Sequence, residues 1–180
     1  MVTAITGGIA EGKSTVLSTL SELGFQTASA DQLARQVFYE SDVNRKLSEI
    51  LRLPAPIEPP QLRTGLAAGD ATRRAVNKVM HPLILEMILS SRNDFVEVPL
   101  LLETCLQGAF HEVWVVTCGV PEQLRRLRIR YGDDFNEGVF LRSQLPSEAK
   151  LPFSDVVIRT NQPFEAVRRS ISEALEVRFA

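Results

Sequence analysis

The stretch "TGGIAEGKST", Thr6 to Thr15, restricts what this chain can fold into more than any other. Gly7, Gly12, Lys13 and Ser14 fit G-x-x-x-x-G-K-[ST], behind the apolar run "VTAI" and ahead of Val16, Leu17, Leu20 and Leu23 at helical spacing. Strand, glycine-rich loop and helix in that order make a phosphate-binding loop. Such a loop turns backbone N–H groups inward, which needs φ > 0 or close backbone approach where a Cβ would clash, and glycine supplies both. A helix beginning near Lys13 sets its positive dipole end beneath the anion. Gly8, Ile9, Ala10, Glu11, Gly12, Lys13, Ser14 and Thr15 then form the nucleotide cradle. Lys13 neutralises the β and γ phosphates, and the Ser14 hydroxyl is the metal ligand, to Mg²⁺.

Five short runs read as strands: "VTAI", "GFQTASA", "DFVEVPLLL", "EVWVVTC" and "SDVVIRT". Helical patterns separate them, including Val167, Ile171 and Leu175, so the expected architecture is α/β, a parallel sheet covered on both faces. Pro121 and Pro163 each follow a strand and open a helix, where a missing N–H does no harm. "LPAPIEPP", Leu53 to Pro60, is expected to be irregular and to mark the entrance to a helical insertion, residues 42–91.

Within 180 residues, 44% of them hydrophobic, one sizeable core and a single domain are the simplest expectation. A net charge of −2 gives no general pull toward nucleic acid or an anionic membrane. Cys105 and Cys118 match no metal-ligand spacing and read as buried free thiols. The apolar amino terminus is too short for a signal peptide or membrane anchor, so the expectation is a cytoplasmic protein.

The guanine-reading N-K-x-D of GTPases is missing, and the length leaves little room for a motor or AAA-type ATPase. A small kinase remains, with a carboxylate base at the end of a strand beside the loop, an acceptor pocket and cations over the transferring phosphoryl. Asp31, in "ASADQLARQV", either serves as that base or caps the next helix. In "RRLRIR", Arg126 and Arg130 stand four apart and share a helix face, suited to a lid across residues 121–150.

Taken together, "TGGIAEGKST", "ADQLARQV", "MHPLI", "VPLLLET", "RSQLP" and "SDVVIRTN" resemble the dephospho-coenzyme A kinase family, in its order and at about its spacing, over most of the chain. The resemblance implies a P-loop nucleoside-monophosphate-kinase-like three-layer sandwich with a five-stranded parallel sheet, a helical acceptor-binding insertion and a lid. It implies transfer of the ATP γ-phosphate to the ribose 3′-hydroxyl of dephospho-CoA with Mg²⁺, the final step of coenzyme A biosynthesis. Asp31 matches the family's general base, with Lys13, Arg126 and Arg130 as its catalytic companions and Asn161 on the nucleotide side. Arg35, His81 and Glu103 fall with Asp31 on the acceptor side. His81 precedes a proline and equally suits a helix start, and Glu103 equally suits a cap. Leu100, Leu101 and Leu102 read as core. Glu97 stands where the family often has aspartate and suits the Mg²⁺ shell through water.

The departures are specific. Ser29 replaces the first carboxylate of the family's D-A-D, Tyr131 follows the second lid arginine, and "GDDFNEG" diverges. Two other readings remain open, another small-acceptor P-loop kinase and a degenerate ATP-binding protein without phosphoryl transfer. Oligomeric state is not set by the sequence, a monomer being the simplest expectation, and neither nucleic acid nor membrane is expected as a partner.

Overall fold

A computed structural model describes residues 2–132 and 144–179. The chain divides into two compact units, residues 1–28 with 93–180, and residues 29–92.

The first unit carries a five-stranded parallel sheet in the order β2-β3-β1-β4-β5. The strands are β1 (Thr3–Thr6), β2 (Thr27–Ser29), β3 (Phe95–Glu97), β4 (Glu112–Thr117) and β5 (Val156–Arg159), so each run read as a strand overlaps one. Registers pair Ile5 with Glu97 on one side of β1 and with Trp114 on the other, and Trp114 with Val156 across β4 and β5. Parallel neighbours need long crossovers. These contain helices α1 (Lys13–Glu22), which starts where expected, and α6 (Val120–Tyr131), with α8 (Phe164–Phe179) closing the chain. Pro121 lies in the first turn of α6, and the carbonyl of Pro163 accepts the first backbone bonds of α8, from Ala166 N–H at 2.9 Å and Val167 N–H at 3.2 Å.

Ile5, Val16, Leu20, Phe95, Trp114 and Ile158 join Val167, Ile171 and Leu175 of α8 in one buried cluster. Edge-on rings bind it, Phe95 to Trp114 at 5.1 Å and Phe25 to Phe95 at 5.3 Å between centroids. Three apolar expectations are corrected. Leu23 ends α1 and is exposed. The strand in "DFVEVPLLL" stops at Glu97, because Pro99 cannot donate to a ladder; in the turn beyond it Leu101 and Leu102 are buried but Leu100 faces solvent. Cys118 is buried, whereas Cys105 is exposed.

The second unit is helical: α2 (Ala30–Tyr39), α3 (Ser41–Leu51), α4 (Pro59–Ala67) and α5 (Asp70–Ser90). It therefore takes in α2 as well as the segment 42–91. Val37, Phe38, Val43, Leu47, Ile57, Val76 and Met80 form its core. The proline-rich strip is less irregular than its composition suggests. Pro59 and Pro60 occupy the first turn of α4, where proline loses no bond, and Glu58 with Gln61 forms a capping box at its start. Upstream, Asn44 holds the backbone of buried Ile57 by both groups, Nδ2 donating to Ile57 O at 2.9 Å and Oδ1 accepting Ile57 N–H at 2.8 Å.

Asn44→Ala strands both backbone groups of Ile57 in a buried site, so it should cost about 1–3 kcal/mol. A lower urea midpoint and faster hydrogen exchange at the Ile57 amide check this.

Candidate active site

The site is built at the carboxyl ends of β1 and β4, where a parallel sheet hands its chain to helices. Gly7 leaves β1 at φ 151°, and a Cβ on it would stand 2.2 Å from Val116 O of β4. Only glycine passes there. Gly12, at φ 92°, sits at the N-cap position of α1, and a Cβ on it would press on Thr160 at about 3.0 Å. The first backbone bond of α1 runs from Val16 N–H to Gly12 O at 3.1 Å, so the N–H groups of Ser14 and Thr15 precede the helical ladder. Those amides at a helix amino end are an anion site.

Side chains hold every residue from Gly8 to Glu11. Gly8 N–H donates to Glu11 Oε2, and Gly8 O accepts Lys13 Nζ at 2.8 Å. Ile9 N–H donates to Gln144 Oε1 at 3.0 Å, and Ile9 O accepts Gln123 Nε2 at 2.9 Å. Ala10 O accepts Arg126 at 3.4 Å, and Glu11 O accepts the Thr160 hydroxyl at 2.6 Å. A cavity of about 170 Å³ lies between the loop, α6 and residues 144–148. It falls below the roughly 300–1,000 Å³ of ordinary ligand pockets.

The structure gives Arg126 and Arg130 different surroundings. Arg126 is mostly buried, donating to Glu122 Oε1 at 2.7 Å, Thr160 Oγ1 at 3.1 Å and Thr160 O at 2.6 Å. Arg130 is exposed, its guanidinium 5.4 Å from the Tyr131 ring centre. Hydrogen bonds from Arg125 and then Arg126 hold the Glu122 carboxyl down to about 2. Burial pushes the Cys118 thiol up to about 11, so it stays neutral. Asn161 is exposed in the turn between β5 and α8, next to the buried Thr160. Of the lid expected over 121–150, residues 133–143, with Arg142 and most of "GDDFNEG", lie outside the described residues.

Beyond them the chain contributes residues to which the motifs gave no role. Gln144 and the single helical turn α7 (Ser147–Lys150) meet the loop, the Ser147 hydroxyl donating to Glu11 Oε2. Glu103 neither caps a helix nor stands open. It accepts Leu145 N–H at 2.8 Å and pairs with Lys150 Nζ at 2.9 Å, while its Oε2 is buried without a partner among the described residues. Lys150 is 0% exposed and also donates to Pro99 O at 3.3 Å. Burial pushes the Glu103 carboxyl up, but the Lys150 ammonium and the backbone N–H groups of Glu103 and Leu145 outweigh it and hold it below the usual carboxylate value. Sequence spacing does not reveal such a pairing over 47 positions.

In the helical unit, Asp31 lies in the first turn of α2, while Ser29 occupies the N-cap position without a side-chain bond. Asp31 and Arg35 are exposed one turn apart, and neither side chain is engaged among the described residues. His81 sits within α5 beside Pro82, so it does not start a helix. Burial lowers its imidazole below the ordinary value.

Oxygen donors suited to a hard cation are present at the loop. The Ser14 hydroxyl is exposed and unengaged among the described residues, and Glu97 ends β3 with Lys13 Nζ 3.9 Å from its carboxylate. No cluster of three or more His, Cys, Asp or Glu side chains could hold a metal among the described residues.

The family model for dephospho-CoA kinase matches residues 1–165. The chain belongs to the dephospho-CoA kinase family. A dephospho-CoA kinase of Carboxydothermus hydrogenoformans is 32% identical over 97% of this chain and 93% of its own length. One from Streptococcus pyogenes is 28% identical over 97% and 96%. Among solved structures, TT1252 from Thermus thermophilus superposes with a TM-score of 0.82 at 23% identity, covering 98% of this chain and 96% of that one. Dephospho-CoA kinase from Campylobacter jejuni gives 0.72 at 23% identity, over 97% and 95%. A shikimate kinase from Aquifex aeolicus gives 0.57 at 16%, over 98% and 96%. These structural likenesses show the fold, that of P-loop kinases.

Glu103→Gln leaves the fully buried Lys150 without a counter-charge, which should cost about 3–5 kcal/mol at neutral pH. The sign follows from the lowered carboxyl: the pair's stability is complete above the ordinary carboxylate value of 4.5 and is lost as pH falls through the lower folded value. Urea unfolding from neutral pH down to the acid limb should show this loss in the parent and not in Glu103→Gln.

Proposed function

We propose that the chain transfers the γ-phosphoryl group of ATP to the ribose 3′-hydroxyl of dephospho-CoA, closing coenzyme A synthesis, as a cytoplasmic enzyme. The observation that carries the reading is the phosphate loop, with its helix-start amides and buried Lys13, in a chain that matches the family over residues 1–165.

In this reading the amides of residues 10–15 and the Lys13 ammonium hold the β and γ phosphates, charge on the equatorial oxygens being what such groups stabilise. Ser14 Oγ, with Glu97 through water, would hold Mg²⁺, which when bound neutralises phosphate charge as the β–γ bridge opens. Asp31 takes the proton of the 3′-hydroxyl as its oxygen bonds to the γ phosphorus and the bridging oxygen leaves with ADP. Its engagement by no other described group leaves that carboxylate available. Arg130, open to solvent, meets the transferring phosphoryl, while Arg126 acts from its place against Ala10 O and Thr160. Arg35, His81 and Glu103 are assigned to the acceptor side, and Asn161 to the nucleotide.

ADP release by the purified protein with Mg²⁺ and ATP tests the reaction, comparing dephospho-CoA, AMP, a shikimate-like alcohol and no acceptor. Turnover should require dephospho-CoA; release with none of the acceptors would leave an ATP-binding protein. Asp31→Asn should keep ATP affinity and lower kcat about 10²–10⁴-fold, and a kcat near the parent's would remove Asp31 from the chemistry. Arg130→Ala should depress kcat more than ATP affinity, whereas Arg126→Ala should depress both, because its guanidinium also shapes the loop.

A further inference from the structure

Glu11 is out of keeping with its position. A carboxylate inside a phosphate-binding loop adds negative charge where the loop must attract it. The fold turns it inward: Glu11 is 1% exposed, and its two oxygens accept from three donors on three elements. Those donors are Gly8 N–H, the Thr117 hydroxyl at the end of β4 at 3.0 Å, and the Ser147 hydroxyl of α7. The carboxylate lies close to the loop backbone, since a Cβ on Gly8 would lie 2.8 Å from Glu11 Oε2 and 2.7 Å from Gln123 Nε2. The segment that carries Ser147 has its own anchors, Gln144 on Ile9 N–H, Leu145 N–H on Glu103 and Lys150 on Glu103. Residues 144–150 thereby fasten both the phosphate loop and the turn after β3.

We infer that Glu11 is a positioning residue that ties the shape of the phosphate loop to the docking of α7 through Ser147, and so sets the affinity for ATP. The carboxylate never meets the phosphate. It holds Gly8 N–H on the inner side of the loop, so that the amides from Ala10 onward are the ones left for the anion. Ser147, far away in sequence, thus becomes part of the ATP site without touching ATP. The inference rests on the loop being the ATP site, which the family reading shares.

The test is calorimetric titration of Mg²⁺–ATP into the full chain as parent, Glu11→Gln, Ser147→Ala, Ser147→Thr and the double variant Glu11→Gln with Ser147→Ala, beside steady-state kinetics. Glu11→Gln should weaken ATP binding about tenfold or more, as expected for lost hydrogen bonds to a charged group. Ser147→Ala should weaken it about threefold or more, Ser147→Thr should restore it, and the double variant should be no worse than Glu11→Gln alone. KM for dephospho-CoA should stay within about twofold, a split that general loosening of the fold would not produce. Tighter ATP binding by Glu11→Gln would overturn the inference, showing that the charge only repels phosphate. Losses that multiply in the double variant would also overturn it, by showing that the two side chains act independently. Should Glu11→Gln not fold, the Ser147 pair decides: loss in Ser147→Ala with recovery in Ser147→Thr supports the link, and parent-like binding by Ser147→Ala refutes it. A parent that binds ATP but does not turn over dephospho-CoA would sink the kinase reading alone.

Discussion

Everything at the site follows from how closely the chain leaves β1. At Gly7 the backbone passes against Val116 O, with no room for a Cβ, and that contact exists because β1 and β4 are hydrogen-bonded neighbours. The loop is consequently referenced to the two most buried strands of the sheet. An anion site made of backbone amides has no side chain to adjust its aim, so its geometry is only as good as the frame behind it.

The frame is supplied by polar side chains, and their arrangement is economical. Carbonyls of the loop, which would repel phosphate if they swung inward, are each taken by a donor: Gly8 O by Lys13, Ile9 O by Gln123, Ala10 O by Arg126, Glu11 O by Thr160. Fixing the carbonyls of Ile9, Ala10 and Glu11 also fixes the amides of Ala10, Glu11 and Gly12, because the peptide plane is rigid. Arg126 acts here as a structural clamp, whatever else it does in turnover, while Arg130 one turn on keeps its charge in solvent.

Much was legible because the signals were local. The phosphate loop, the five strand positions and the core spacing of Val167, Ile171 and Leu175 are short-range patterns set by glycine sterics and by the 3.6 and 2.0 residue periods. Errors came where a neighbour far along the chain decided the outcome. Nothing within "PLLLE" tells Leu100 from Leu101, which part company only when a turn replaces the extended strand. Within the proline-rich strip the backbone of Ile57 is held by Asn44, more than ten positions upstream.

By itself the sequence determined the class of site and its ligand chemistry, since a glycine-bracketed amide loop with lysine and a hydroxyl has meaning within ten residues. It also carried enough scattered motifs to point to the family. Tertiary structure alone decided which charges are spent on holding the loop and which remain open. Glu11, Arg126, Glu103 and Lys150 find their partners across 34 to 136 positions. Such pairings depend on the sheet order β3-β1-β4-β5, which brings together strand ends that the chain visits far apart. A local pattern carries no record of that, because hydrogen bonds respond to distance in space and not along the chain.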